Sequence, residues 1–134
     1  MRGLTDAQCD APGIIGPHSV RQAVARGADA ELLFAMRARF VMAEPGADLP
    51  VADADAWAEA VGPIVELDHS VGVFRALRQQ GTALWRAVPD GMWLHNGRTP
   101  DGAVRSLAVL FTEAVYQGEQ LIDAILTERR RRAW

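Results

Sequence analysis

An all-α, bundle-like fold is what this sequence predicts, on three observations. Between Ala103 and Glu128, the residues Val104, Leu107, Phe111, Ala114, Gly118, Ile122 and Ile125 recur at three- and four-residue spacing; at 100° per residue they fall within an arc of about 80°, the seam of one long helix. Two further Pro-free stretches, 19 to 43 and 65 to 88, are of helical length and carry helical periodicity. No segment sustains the two-residue alternation of a half-buried strand. A chain of 134 residues suits one domain, residues 1 to 134, able to bury about two thirds of its unfolded surface without metal or disulfide help.

Taken in order, Thr5 caps a short helix over residues 3 to 9, and the stretch from Asp10 to Pro17, with two Pro and two Gly, breaks it. Ser19 and Gln22 form a capping box that opens a helix over 19 to 43, which Pro45-Gly46 closes. Within it Leu32, Leu33, Phe34, Met36, Phe40, Val41 and Met42 point nearly all round the axis, as in a helix buried on more than one side. Asp53 caps a short helix reaching Val61, and Gly62-Pro63 resets the chain. In the 65 to 88 helix Leu67, Val71, Phe74, Leu77, Gly81, Leu84 and Val88 mark the buried stripe, with Arg75, Arg78, Gln79 and Arg86 mostly elsewhere. Pro89-Asp90-Gly91 ends it, and a loop bearing Trp93 and His95 leads to the last helix, 103 to 128. Three long helices are an awkward number for a four-helix core.

Composition excludes several functions. Hydrophobic residues make up 49% of the chain and charged ones 23%, ordinary for a globular protein. The net charge of −3, with all 14 cations Arg, offers no basic stripe for nucleic acid. No apolar window is long enough to span a bilayer and no secretory leader is evident, so the expected setting is cytoplasmic and away from membranes. Cys9 is the sole cysteine, which forbids an intrachain disulfide. His18, His69 and His95 lie in separate segments, none at the i, i+4 spacing that presents two metal ligands on one helix face. Asp48, Asp53 and Asp55 lack the Gly and closing Glu of a calcium loop. The run Arg129 to Arg132 reads as a solvated helix end whose cations complement the helix dipole.

The order of several short motifs carries a resemblance. Ser19-Val-Arg-Gln22, Ala28-Asp-Ala-Glu-Leu-Leu-Phe-Ala-Met-Arg37, Ala43-Glu-Pro-Gly46, Leu49-Pro50 and Asp55-Ala-Trp57 resemble the first half of a DinB-like (YfiT-like) domain. Phe74-Arg-Ala-Leu-Arg78, Leu84-Trp85, Thr99-Pro100 and the last helix are similar to the rest. The resemblance implies a four-helix bundle that in many members holds a divalent metal on three histidines, some members being thiol-dependent transferases or isomerases. One family histidine follows the capping Ser by seven residues, at Arg26 here; the others fall at Ala114 and Gly118. Ala and Gly have no donor atoms and Arg is a fixed cation, so no metal and no cofactor are expected.

The resemblance also implies a first helix that this chain, starting at Met1, lacks, leaving a groove to be closed by a symmetric homodimer built on the Leu32 to Met42 surface. The expected function is a non-catalytic binding or interaction protein with a degenerate metal site. Its candidate pocket is Arg26, Asp29, Glu113, Ala114, Gln117 and Gly118, with Arg26 either holding a small anion or, the favoured reading, pairing with an acidic neighbour such as Glu113. The alternative is a thiol-dependent transferase or isomerase, metal-independent or with a relocated site. The small size of Ala114 and Gly118 has a packing explanation as well: close approach of another helix.

Overall fold

A computed structural model describes residues 3–134. Its elements are α1 (Asp6–Asp10), α2 (Val20–Ala43), α3 (Ala54–Val61), α4 (Leu67–Ala87), a 3-10 turn (Asp90–Met92), β1 (Asn96–Arg98), β2 (Val104–Ser106) and α5 (Leu107–Arg131). The capping predictions hold: Thr5 with Gln8 and Ser19 with Gln22 close capping boxes, and the Asp53 carboxylate accepts from the amides of Asp55 and Ala56.

The region between α4 and α5 departs from the all-helical expectation. Residues 103 to 106 belong to an antiparallel hairpin, Asn96 facing Ser106 and Arg98 facing Val104. Its turn is Thr99-Pro-Asp-Gly-Ala103, where the Thr99 hydroxyl donates to Asp101 and Ala103 N–H donates to the same carboxylate. Three-residue strands are too short to show alternation, which hides them from periodicity. Val104 therefore leaves the helical seam and is half exposed. Ser106 is the cap of α5, its hydroxyl accepting from Val109 N–H. The segment from Gly46 to Leu49 lies along the outer edge of β1, with Leu49 N–H donating to Arg98 carbonyl at 2.7 Å. A Cβ at Gly97 would sit 2.6 Å from Leu49 and 2.8 Å from the Ala47 carbonyl, so only glycine permits that approach.

Helix α2 is the axis of the molecule: α3, α4 and α5 all pack on it, while α4 and α5 meet mainly through long side chains. Its face through Glu31, Phe34, Ala38 and Val41 is buried, whereas Leu32, Met36 and Phe40 on the other side are about two-fifths exposed. The all-round apolar pattern thus resolves into one core face and one uncovered stripe. The α5 seam runs through Leu107, Leu110, Phe111, Ala114, Gly118 and Ile125, with Leu121 half-buried; Ile122 lies off it, half exposed.

The apolar interior is in two parts. One gathers Phe34, Val41, Leu49, Leu107 and Phe111 around the hairpin end; the other gathers Ile14, Val20, Val24 and Ile125 around the chain termini. Along α2 the residues between them are Gly27 and Glu31, and along α5 they are Gly118 and Leu121. In that intervening layer side chains of α4 and α5 close directly over the α2 backbone, since a Cβ at Gly27 would overlap Leu121 Cδ2 and lie 3.6 Å from the Phe74 ring.

Candidate functional site

The layer between the two apolar clusters is built around a charge. Glu31 lies on the buried face of α2 and is only 4% exposed. A carboxylate there requires a partner, because an unpaired buried charge is prohibitively costly. Arg78 of α4 supplies it: Nη2 donates both to Glu31 Oε1 and, at 2.9 Å, to the Ala114 carbonyl of α5. One guanidinium therefore ties together three helices. Burial pushes the Glu31 carboxyl above its ordinary range, an effect that the Arg78 charge and hydrogen bond partly oppose.

Gly118 is small because Arg78 lies against it. A Cβ added there would overlap Nη2 and sit 2.9 Å from Cζ. Gly118 makes room for a guanidinium, while Ala114 gives that guanidinium its carbonyl and lines an open groove.

Arg26 is elsewhere. It lies on the α3 side of α2, half exposed, with Nε 2.9 Å from Asp55 Oδ1, and the same carboxylate oxygen is 3.4 Å from His18 Nε2. The α2 positions that face Gly118 and Leu121 are Gly27 and Glu31, so a spacing of seven from the cap points one helical face away from the layer. The pairing of Arg26 with Glu113 is corrected likewise, Glu113 binding Arg105 at 3.0 Å. Gln117 faces solvent. Asp29 has a buried Oδ2 without a hydrogen-bond partner among the described residues, and burial raises its carboxyl pKa. Of the six residues expected to share a pocket, the structure brings only Ala114 and Gly118 to the Arg78 guanidinium. Glu31 and Arg78 are what sequence reading missed. The available signal was Glu31 standing in the same three-and-four stripe as Phe34, Ala38 and Val41.

Because α4 and α5 diverge, an open groove of about 330 Å³ lies between them above this layer. Phe34, Trp85, Phe111 and Val115 form its apolar lining and Glu31, Arg78, Thr82 and Arg86 its polar part. The rings are interlocked edge to face, with centroids 4.9 Å apart for Phe34 and Phe111 and 5.0 Å for Trp85 and Phe111. A second surface depression, about 360 Å³, lies at the C-terminus beside Arg130 and Trp134. Among the described residues no group of three or more His, Cys, Asp or Glu side chains is placed to hold a metal ion, and no helix is long and apolar enough to cross a membrane.

A helical bundle wrapped on one central helix, with a ligand-sized groove and a small-residue seam, defines the class. No family model and no curated protein matches the sequence. Among solved structures the chain is similar to YfiT from Bacillus subtilis, described as a probable metal-dependent hydrolase with an unusual four-helix bundle topology. The two share 26% identity with a TM-score of 0.89 over 98% of this chain and 76% of that one. The chain thus has the four-helix-bundle fold of YfiT, which supports the resemblance to DinB-like (YfiT-like) proteins.

Proposed function

We propose that the chain is a metal-independent binding protein on a DinB-like scaffold, in which a salt-bridged layer stands where relatives carry a metal centre. The observation that carries this reading is the Arg78 guanidinium seated on Gly118 and Ala114. The description of YfiT as a metal-dependent hydrolase makes a hydrolase the natural comparison. A catalytic zinc-type centre needs about three lone-pair donors and an open position. Ala114 and Gly118 have no donor, Arg26 is a permanent cation turned toward Asp55, and Arg78 adds a second positive charge beside the seam. These residues do not fit a metal. The remaining capability is binding in the groove between α4 and α5, whose size and mixed lining suit a small molecule. A cytoplasmic setting agrees with the single free, buried Cys9.

Purified protein dialysed against micromolar Zn, Ni or Mn and then buffer is expected to carry far less than one ion per chain, with a melting temperature that EDTA leaves unchanged. One tightly held ion per chain, with a fall in melting temperature on EDTA treatment, would refute the reading, because a ligand bound only to the native state stabilises it.

The working form of this reading is a symmetric homodimer. Its support is the stripe Leu32, Met36 and Phe40, at i, i+4, i+8 on α2, uncovered although each is a large apolar side chain. A stable pair buries on the order of 800 Å² per partner, so the interface would extend beyond these three side chains. Light scattering at micromolar concentration is expected to return twice the chain mass of 14.6 kDa. Phe40→Glu, placing a charge in the stripe, is expected to return the monomer; a wild-type monomer sinks the dimer.

A further inference from the structure

We propose that the groove between α4 and α5 takes an amphipathic monocarboxylate: one carboxylate on an uncharged, apolar body. This rests on the binding reading above and adds the class of ligand. The first ground is charge. Glu31 contributes one negative charge to the groove, Arg78 and Arg86 one positive charge each, so the lining carries one uncompensated positive charge. Arg86 has no ion pair or hydrogen bond among the described residues.

The second ground is donor geometry. Both hydrogen bonds of Arg78 leave from Nη2, to Glu31 and to the Ala114 carbonyl. Its Nε and Nη1 therefore keep their N–H groups without an acceptor among the described residues. Nε–H and the Nη1 N–H groups lie on different edges of the guanidinium, so each offers a single charge-assisted hydrogen bond to a carboxylate oxygen. The ion pair holds these donors fixed, since Arg78 is anchored to α2 and α5 at once.

The third ground is the lining. Phe34 and Phe111 are buried beneath the groove, while Trp85 is 44% exposed beside them and Val115 38%. These surfaces gain from covering by an apolar body. A phosphate monoester brings a second negative charge that the single net positive charge leaves unmatched next to aromatic rings. An uncharged alcohol uses the walls but leaves the uncompensated positive charge of the lining unmatched.

The test titrates wild-type protein with octanoate, octanol and octyl phosphate, following tryptophan fluorescence and assigning the change to Trp85 by its loss in Trp85→Phe. Octanoate is expected to bind about tenfold more tightly than octanol, the worth of one charge-assisted hydrogen-bonded contact, and more tightly than octyl phosphate. Arg86→Gln is expected to lower octanoate affinity severalfold, leave octanol unchanged and leave the melting temperature unaltered, because Arg86 has no partner to lose. Glu31→Gln, which removes the competing anion, is expected to tighten octanoate severalfold. Equal binding of octanoate and octanol overturns the carboxylate while leaving the groove as a binding site. Tighter binding of octyl phosphate also overturns the carboxylate. If none of the three probes changes Trp85 fluorescence, both the ligand class and the binding reading fall.

Discussion

Arg78→Met is expected to lower the stability of this protein by about 2–4 kcal/mol at neutral pH, toward the lower end of what breaking a buried ion pair costs because Arg78 itself is 29% exposed. The loss arises on Glu31 rather than on the residue replaced. With the guanidinium gone, a carboxylate that is 4% exposed keeps its desolvation penalty and loses the charge that opposes it. The sign of the pH dependence follows. Burial already holds the Glu31 carboxyl above its ordinary value, and without Arg78 it rises further. A group whose pKa is raised by folding costs nothing below its unfolded value and costs increasingly as pH climbs through the folded one. The deficit of Arg78→Met relative to wild type is therefore expected to be largest at pH 7 and to shrink as pH falls toward the carboxyl range. Urea unfolding at pH 7 and pH 5 reads this directly, and a deficit that stays constant would assign Arg78 a packing role alone.

Gly118→Ala is expected to destabilise although alanine is the better helix former. A Cβ at Gly118 meets Cζ of Arg78 at 2.9 Å and overlaps Nη2, and the guanidinium cannot swing aside without leaving Glu31 and the Ala114 carbonyl. Lost charge-assisted bonds of about 1.5–3 kcal/mol exceed the gain of about 1 kcal/mol from replacing a mid-helix glycine. A net loss of about 1–2 kcal/mol, or a melting temperature lower by roughly 3–8 °C, is the expected result. The same substitution at Gly72 on α4, where a Cβ meets nothing within 4 Å, should raise stability instead. Opposite signs for one chemical change separate the local crowding at Gly118 from helix propensity, and equal signs would remove it.

The helices were legible because their boundaries are written in local chemistry. Thr5, Ser19 and Asp53 each cap where expected, and Pro45 and Pro89 each stop a helix within a few residues. The hairpin was not, since three-residue strands held by the Thr99–Asp101 turn have no periodicity to read. At the site, Ala114 and Gly118 stood out correctly as small residues in a bulky seam, but what filled the space was invisible from one helix. It depends on Glu31 and Arg78, 47 residues apart in sequence, meeting across α2 and α4. Arg78 stood off the apolar stripe read for α4, and Glu31 is the reason its guanidinium turns inward. Arg26 was drawn to the seam by spacing alone, and a rotation of one residue about α2 sends it to Asp55.

The central claim is that Glu31 and Arg78 act as one unit in the layer between the two apolar clusters. A double-mutant cycle measures it most directly, with Glu31→Gln, Arg78→Met and their combination compared by urea unfolding at pH 7. The expected result is an interaction energy of about 2 kcal/mol or more, the doubly substituted, charge-free protein recovering most of what Arg78→Met alone loses. Additivity of the two single changes within about 0.5 kcal/mol would contradict it.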